Sequence, residues 1–291
     1  MRVRWLIPVA ALLAFACQQK PAEAPQAASG PLEDGKRLLE QGQLDAALAQ
    51  FEQVSSADGL YYQGAVWAAK AKAGAVPGSA PEAALGEDEL RAIEFYDAAI
   101  TQQDEHPMAH LALADLLAPH SLALYAAQKA SRRPLPTPEG APDLSPDRVV
   151  QMYETAIRMA PTSPTPVERL IDFATRVERF DAANEAYRKL IVLRPERPEP
   201  LVAYGDFLVQ YRKDPQSAVE RYREAMVWAP NDETIPSRIA DVYVARGEEL
   251  YKNGQNVAAR KAFEEARKWV RDWKSEQGLK VRDYLEKLRR R

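Results

Sequence analysis

The sequence predicts an all-α solenoid of about six helix pairs, closed by a C-terminal capping helix. Two observations carry that expectation. A pattern of small-x3-aromatic-x2-apolar recurs six times: Ala47/Phe51/Val54, Ala92/Tyr96/Ala99, Val149/Tyr153/Ala156, Ala183/Tyr187/Leu190, Ala218/Tyr222/Ala225 and Ala259/Phe263/Ala266. Each triplet spaces its residues at i, i+4 and i+7, which places them on one helical face. In addition, Pro161, Pro195 and Pro230 each stand eight residues after an aromatic, where a proline ends one helix and opens the way to the next.

The chain begins with a targeting pattern. Arg2 and Arg4 precede an apolar run from Trp5 to Ala16. That run falls short of the ~20 apolar residues a membrane-spanning helix needs, so 1–16 is read as a signal peptide and set aside from the fold. The run ends at LAFAC, whose cysteine, Cys17, is the only one in 291 residues. LAFAC resembles a bacterial lipobox, although Ala14 stands where Leu is commonest and Phe15 is bulky for its place. Ala14-Phe15-Ala16 also satisfies an ordinary A-x-A cleavage site, which would leave a free thiol. The lipobox resemblance implies a diacylated Cys17 with an acylated, palmitate-type amino terminus, and more than one chain anchors stably. Gln18 after the cysteine resembles the outer-membrane sorting habit of enterobacteria. Residues 17–30 then read as a flexible tether with little to bury.

From Pro31 to Arg291 the repeats account for nearly all of the chain. FDAANEAYRKLIVLRP (180–195) and SAVERYREAMVWAP (217–230) are close to the second-helix consensus of the tetratricopeptide repeat family, and Tyr153, Tyr187 and Tyr222 stand 34 and 35 residues apart. First helices are similar too: LVAYGDFL carries Gly205 at the close-packing position, where Gly35 and Gly64 stand earlier. Ala114 and Ala240 substitute there; Ile171 does not, which predicts a wider or tilted fourth pair. The resemblance implies a right-handed superhelix with a concave binding surface, since no helix pair buries its apolar face alone.

Irregular spacing locates insertions. Phe51 to Tyr96 spans 45 residues and Tyr96 to Tyr153 spans 57, so loops are expected at about 74–87 and 120–146. Tyr222 to Phe263 spans 41, which predicts an extended helix near Ile235 to Lys252.

Composition limits the chemistry. One cysteine excludes an intrachain disulfide and a Cys-based metal cluster. His106 and His110 stand at i, i+4 in HPMAH, but Pro107 at a helix start puts His106 in the preceding loop and no third ligand is evident. No Gly-rich phosphate loop or nucleophile elbow occurs. No catalytic residue, cofactor, metal or small-molecule substrate is therefore expected, and the protein is read as a non-enzyme. Charge is asymmetric: 31–130 carries 6 Lys/Arg against 15 Asp/Glu, whereas 255–291 carries 12 against 6. A basic end face of this kind could meet lipid head groups or a glycan polymer; nucleic acid is not expected of an envelope protein.

In the tetratricopeptide family, the residue after the close-packing position usually faces the concave surface. Here that residue is Asp115, Asp172, Asp206 and Asp241. Four carboxylates in a row would favour a basic peptide segment; alternatively each is satisfied by a neighbouring arginine such as Arg176 or Arg238. The Lys/Asn carboxylate clamp of some relatives is absent. The expected function is a binding scaffold held by lipid to the outer membrane and facing the periplasm. The alternative is an adaptor that delivers substrates to a periplasmic protease or cell-wall hydrolase.

Overall fold

A computed structural model describes residues 30–75, 85–131 and 141–289. The expected signal peptide, Cys17 and almost all of the tether lie outside the described residues, as do 76–84 of the first insertion and 132–140 of the second.

The described chain is an all-α array of tetratricopeptide type, thirteen helices arranged as six sequential pairs and a cap. The pairs are α1 (Pro31–Glu40) with α2 (Leu44–Phe51), α3 (Ala57–Gly74) with α4 (Glu87–Gln102), and α5 (Pro107–Ser131) with α6 (Pro146–Met159). They continue with α7 (Pro164–Arg176) and α8 (Phe180–Leu193), α9 (Pro198–Phe207) and α10 (Pro215–Trp228), and α11 (Thr234–Lys252) and α12 (Asn256–Trp269). Helix α13 (Glu276–Arg289) closes the array. Prolines open α1, α6, α7, α9 and α10, where the missing amide hydrogen costs no helical bond. Ser56, Ser145 and Asp214 accept from a backbone amide in the first turn of α3, α6 and α10.

The repeat pattern is the core. Five of the six pattern aromatics, Phe51, Tyr96, Tyr153, Tyr222 and Phe263, are buried. Glycine makes room for the rings: a Cβ on Gly35, Gly64 or Gly205 would stand 2.5–2.7 Å from the ring of Phe51, Tyr96 or Tyr222. The fourth pair seats its aromatic differently. Ile171 fills the close-packing space and is itself buried, while Tyr187 stays half-buried. Its ring turns forward instead, stacking 5.3 Å from Tyr204 and 5.1 Å from Phe207 of the next pair.

The sixth pair corrects the sequence register. Ala240 is buried but is not the residue beneath the aromatic. That place belongs to Gly247, whose Cβ would meet the Phe263 ring at 2.8 Å. Gly247 precedes Phe263 by 16 residues, as Gly35 precedes Phe51 and Ile171 precedes Tyr187. Helix α11 is extended as expected, to 19 residues, and its added turns lie before the close-packing glycine. The Ile-Ala-Asp stretch at 239–241 imitated a standard helix start.

The one-residue excess between Tyr187 and Tyr222 also has a structural home. Gly205 precedes Tyr222 by 17 residues, and Leu208–Arg212 at the end of α9 forms a π-helical turn that takes up the extra residue. Nine residues before their aromatics, Gly42, Glu178, Lys213 and Gly254 all adopt left-handed backbone, with φ between 55° and 73°. That conformation ends each first helix.

The second insertion is only partly a loop. Residues 120–131 continue α5, which reaches 25 residues, and His120 is buried there with its Nε2 2.9 Å from Glu89 Oε1. The C-terminal segment is two helices joined by a turn. Helix α12 ends at Trp269, so Trp273 lies in the turn before α13 and not one helical turn above Trp269. Gly278 lets that turn close, since a Cβ there would stand 2.6 Å from the Asp272 carbonyl oxygen. Val281 and Leu288 of α13 are buried against the sixth pair, as a cap requires.

Candidate binding face

The four aspartates expected on the concave face are each placed by a first helix, and two share one arrangement; Asp241 follows Ala240 and not the close-packing Gly247, so it stands outside the register that singled it out. The Tyr153 hydroxyl donates to Asp115 Oδ1 at 2.8 Å, and Arg169 of the next first helix stands 3.8 Å from the same oxygen. In the fifth pair the Tyr222 hydroxyl donates to Asp206 Oδ1 at 2.7 Å, and Arg238 of the next first helix reaches both carboxylate oxygens at 2.6 Å. Asp241 receives a hydrogen bond from Gln277 Nε2, which also donates to the Ser237 carbonyl at 3.0 Å. Gln277 belongs to α13, the element that follows α11 as a further first helix would. Each of these aspartates is therefore bound by a donor from the next element in the stack.

Asp172 is the exception. Arg169 stands two residues before Ile171; the residue two before Gly205 in α9 is Ala203. Alanine offers no donor. Among the described residues Asp172 meets only Arg176 of its own helix, at 3.6 Å, and its side chain is 72% exposed, against 39% and 40% for Asp115 and Asp206. The row is thus mostly a set of ties between repeats, with one open carboxylate in the fourth.

Electrostatics follow the packing. Burial, reinforced by the carboxylates of Asp115 and Asp206, pushes the Tyr153 and Tyr222 hydroxyls well above the ordinary tyrosine range. Burial raises Tyr187 to about 12, with Asp206, Tyr211 and Asp172 adding to the effect. The Tyr153 and Tyr222 hydroxyls stay protonated and act as donors.

The sequence reading named Arg176 and Arg238 as neutralising partners but missed Tyr153, Tyr222, Arg169 and Gln277. A signal was present. In the third to fifth pairs the pattern aromatic is Tyr and the first-helix residue is Asp, whereas the first and sixth pairs have Phe.

The histidines have local roles. His106 Nδ1 accepts from the Ala109 amide at 3.1 Å and so caps α5, while Nε2 faces Asp58 Oδ1 at 3.1 Å. His110 Nε2 lies 3.0 Å from the Asp104 carbonyl oxygen. Among the described residues no three His, Cys, Asp or Glu side chains converge as a metal site, and no helix is long and apolar enough to cross a membrane.

No family model matches the chain, and no curated protein matches it either. Solved structures do. MamA from residue 41 onward, of Desulfovibrio magneticus RS-1, is 17% identical over 71% of this chain and 99% of its own, with a TM-score of 0.43. TTC0263, a thermophilic TPR protein of Thermus thermophilus, is 18% identical over 73% of this chain and 96% of its own, at 0.38. The C-terminal part of a TPR repeat-containing protein of Cytophaga hutchinsonii is 14% identical over 86% of both chains, at 0.47. At these identities and scores the assignment of fold rests on the helix pairs and the repeat packing themselves.

Proposed function

We propose that the protein is a non-catalytic binding scaffold of the bacterial envelope, recruiting a protein partner through the first-helix face around Asp172. The observation that carries this reading is the single gap in the ladder. Asp115, Asp206 and Asp241 are tied by the following helix, but Asp172 has no donor from α9 among the described residues and keeps an exposed carboxylate. A lysine or arginine from a partner segment can take the place that Arg169 and Arg238 take in the neighbouring repeats.

The tether supports the cellular side of the proposal. LAFAC at residues 13–17 fits lipid attachment at Cys17, and the polar stretch after it gives the array reach from an outer membrane into the periplasm. Replacing Cys17 by Ser tests this: acyl labelling is expected to vanish and the protein to leave the membrane fraction, whereas persistence in that fraction contradicts the anchor.

Partner recognition is tested by Asp172→Lys. Capture of a crosslinked partner in the native cell is expected to fall at least tenfold, as reversing a charge at a specific contact costs several kcal/mol. Unchanged capture would remove Asp172 from the interface.

A further inference from the structure

The cap carries a second feature, unrelated to the aspartate ladder. Between α12 and α13 lies an open cleft of about 540 Å³, walled by Trp273, Leu285 and four arginines. Arg260 and Arg267 come from α12, and Arg282 and Arg289 from α13. Both pairs stand at i, i+7, which puts each on one helical face with about 10 Å between its members along the axis. The Phe263–Tyr284 ring stack, with centroids 4.6 Å apart, fixes how the two helices meet. Because α12 and α13 run in opposite directions across the turn at 270–275, Arg267 and Arg282 share the Trp273 end, and Arg260 and Arg289 the other.

These cations are available. Arg260 is paired with Glu264 at 3.0 Å, but Arg267, Arg282 and Arg289 have no ion-pair partner among the described residues. Most arginines elsewhere in the array are bound: Arg148, Arg169, Arg179, Arg194, Arg212 and Arg238 all meet carboxylates. Trp273 remains 42% exposed at the mouth of the cleft, although the indole is an expensive group to leave in water. Glu264 and Glu286 also line the wall and are acceptors for hydroxyl groups.

We infer that this cleft binds a phosphorylated sugar, with phosphate on the arginines and the sugar ring against Trp273. Guanidinium groups bind phosphate through paired, charge-assisted hydrogen bonds. An indole face covers the apolar side of a sugar ring, and carboxylates take its hydroxyl hydrogens. Two arginine tiers about 10 Å apart suit a ligand with a phosphate at each end. The cleft size lies within the usual range for small-ligand sites. Such a group can arrive as a soluble sugar phosphate or as the head group of a phosphorylated glycolipid.

The test uses the purified full chain. Calorimetric titration compares fructose 1,6-bisphosphate with inorganic phosphate, and flotation compares vesicles containing phosphatidylinositol 4-phosphate with phosphatidylcholine vesicles. Tighter binding of the bisphosphate than of inorganic phosphate, or selective flotation with the phosphorylated lipid, supports the assignment; selective flotation alone assigns the source to a head group. The double variant Arg267→Gln, Arg282→Gln alters two exposed side chains and is expected to fold normally. It should weaken whichever binding is seen at least tenfold. No selectivity in either assay, or full binding by the double variant, would overturn the assignment.

Discussion

Arg238 Nη1 lies 2.6 Å from both carboxylate oxygens of Asp206, across the boundary between the fifth and sixth helix pairs. The same carboxylate accepts the Tyr222 hydroxyl from within its own pair. One aspartate thus ties a helix pair internally and couples it to the next. In a linear array stability is the sum of repeat and interface terms, so this residue contributes to both.

The tie is partly exposed, with both side chains near 40% accessible, and solvent screens it. A double-mutant cycle on Asp206→Ala and Arg238→Ala is expected to give a coupling of about 0.5–1 kcal/mol. Urea unfolding measures it, and a coupling of zero would make the contact incidental. Asp172→Ala, by the same method, should change stability by less than ~0.5 kcal/mol.

Gly247 is the test of the corrected register. A branched side chain there drives into the Phe263 ring, and Gly247→Val is expected to cost about 2–3 kcal/mol. Were Ala240 the packing position, Gly247→Val would be nearly neutral in the urea midpoint.

The π-helical turn makes a prediction about length. Deleting Gln210 from Leu208–Arg212 restores the 16-residue interval between close-packing residue and aromatic, so the variant should still unfold in one cooperative transition. Deleting Ala174 from α7, where the interval is already 16, should abolish cooperativity. If both deletions behave alike in thermal unfolding followed by circular dichroism, the turn is not what absorbs the extra residue.

Left-handed backbone costs a residue with a Cβ roughly 1 kcal/mol. Lys213→Gly should therefore stabilise the array by about that amount, shifting the urea midpoint upward. Glu178→Gly should give less, because Glu178 also pairs with Lys129.

Alkaline pH should weaken the array. The folded-state pKa values of Tyr153, Tyr187 and Tyr222 are raised above the unfolded value near 10. The folded state therefore holds these protons more tightly, and their contribution is complete below pH ~10 and declines above it. Urea midpoints between pH 9 and 12 should fall, and Tyr222→Phe should make that fall shallower. A flat profile would contradict the burial of these hydroxyls.

The periodic aromatics made the helix pairs readable from sequence, because a ring seated on a small residue leaves a fixed spacing. Ile171 was readable as a misfit for the same reason, although the outcome was a turned Tyr187 ring stacked on the next pair. Ala240 misled because a helix start can be imitated two turns early, and only the distance to Phe263 distinguishes it from Gly247. Residues 120–131 looked like insertion because periodicity says nothing of where a long helix stops. The ladder was half legible. The aspartates recur in register, but their partners sit in neighbouring repeats, where contacts depend on stacking and not on local spacing.

The central claim is that the first-helix face around Asp172 is the partner surface. A photoreactive amino acid placed at Ala203, the exposed α9 residue in sequence register with Arg169, measures this in the native cell, with Val192 as a comparison; Val192 is 76% exposed. The account predicts a discrete crosslinked species from Ala203 that Asp172→Lys abolishes. Crosslinking from Val192 alone, or a product from Ala203 that survives Asp172→Lys, would contradict it.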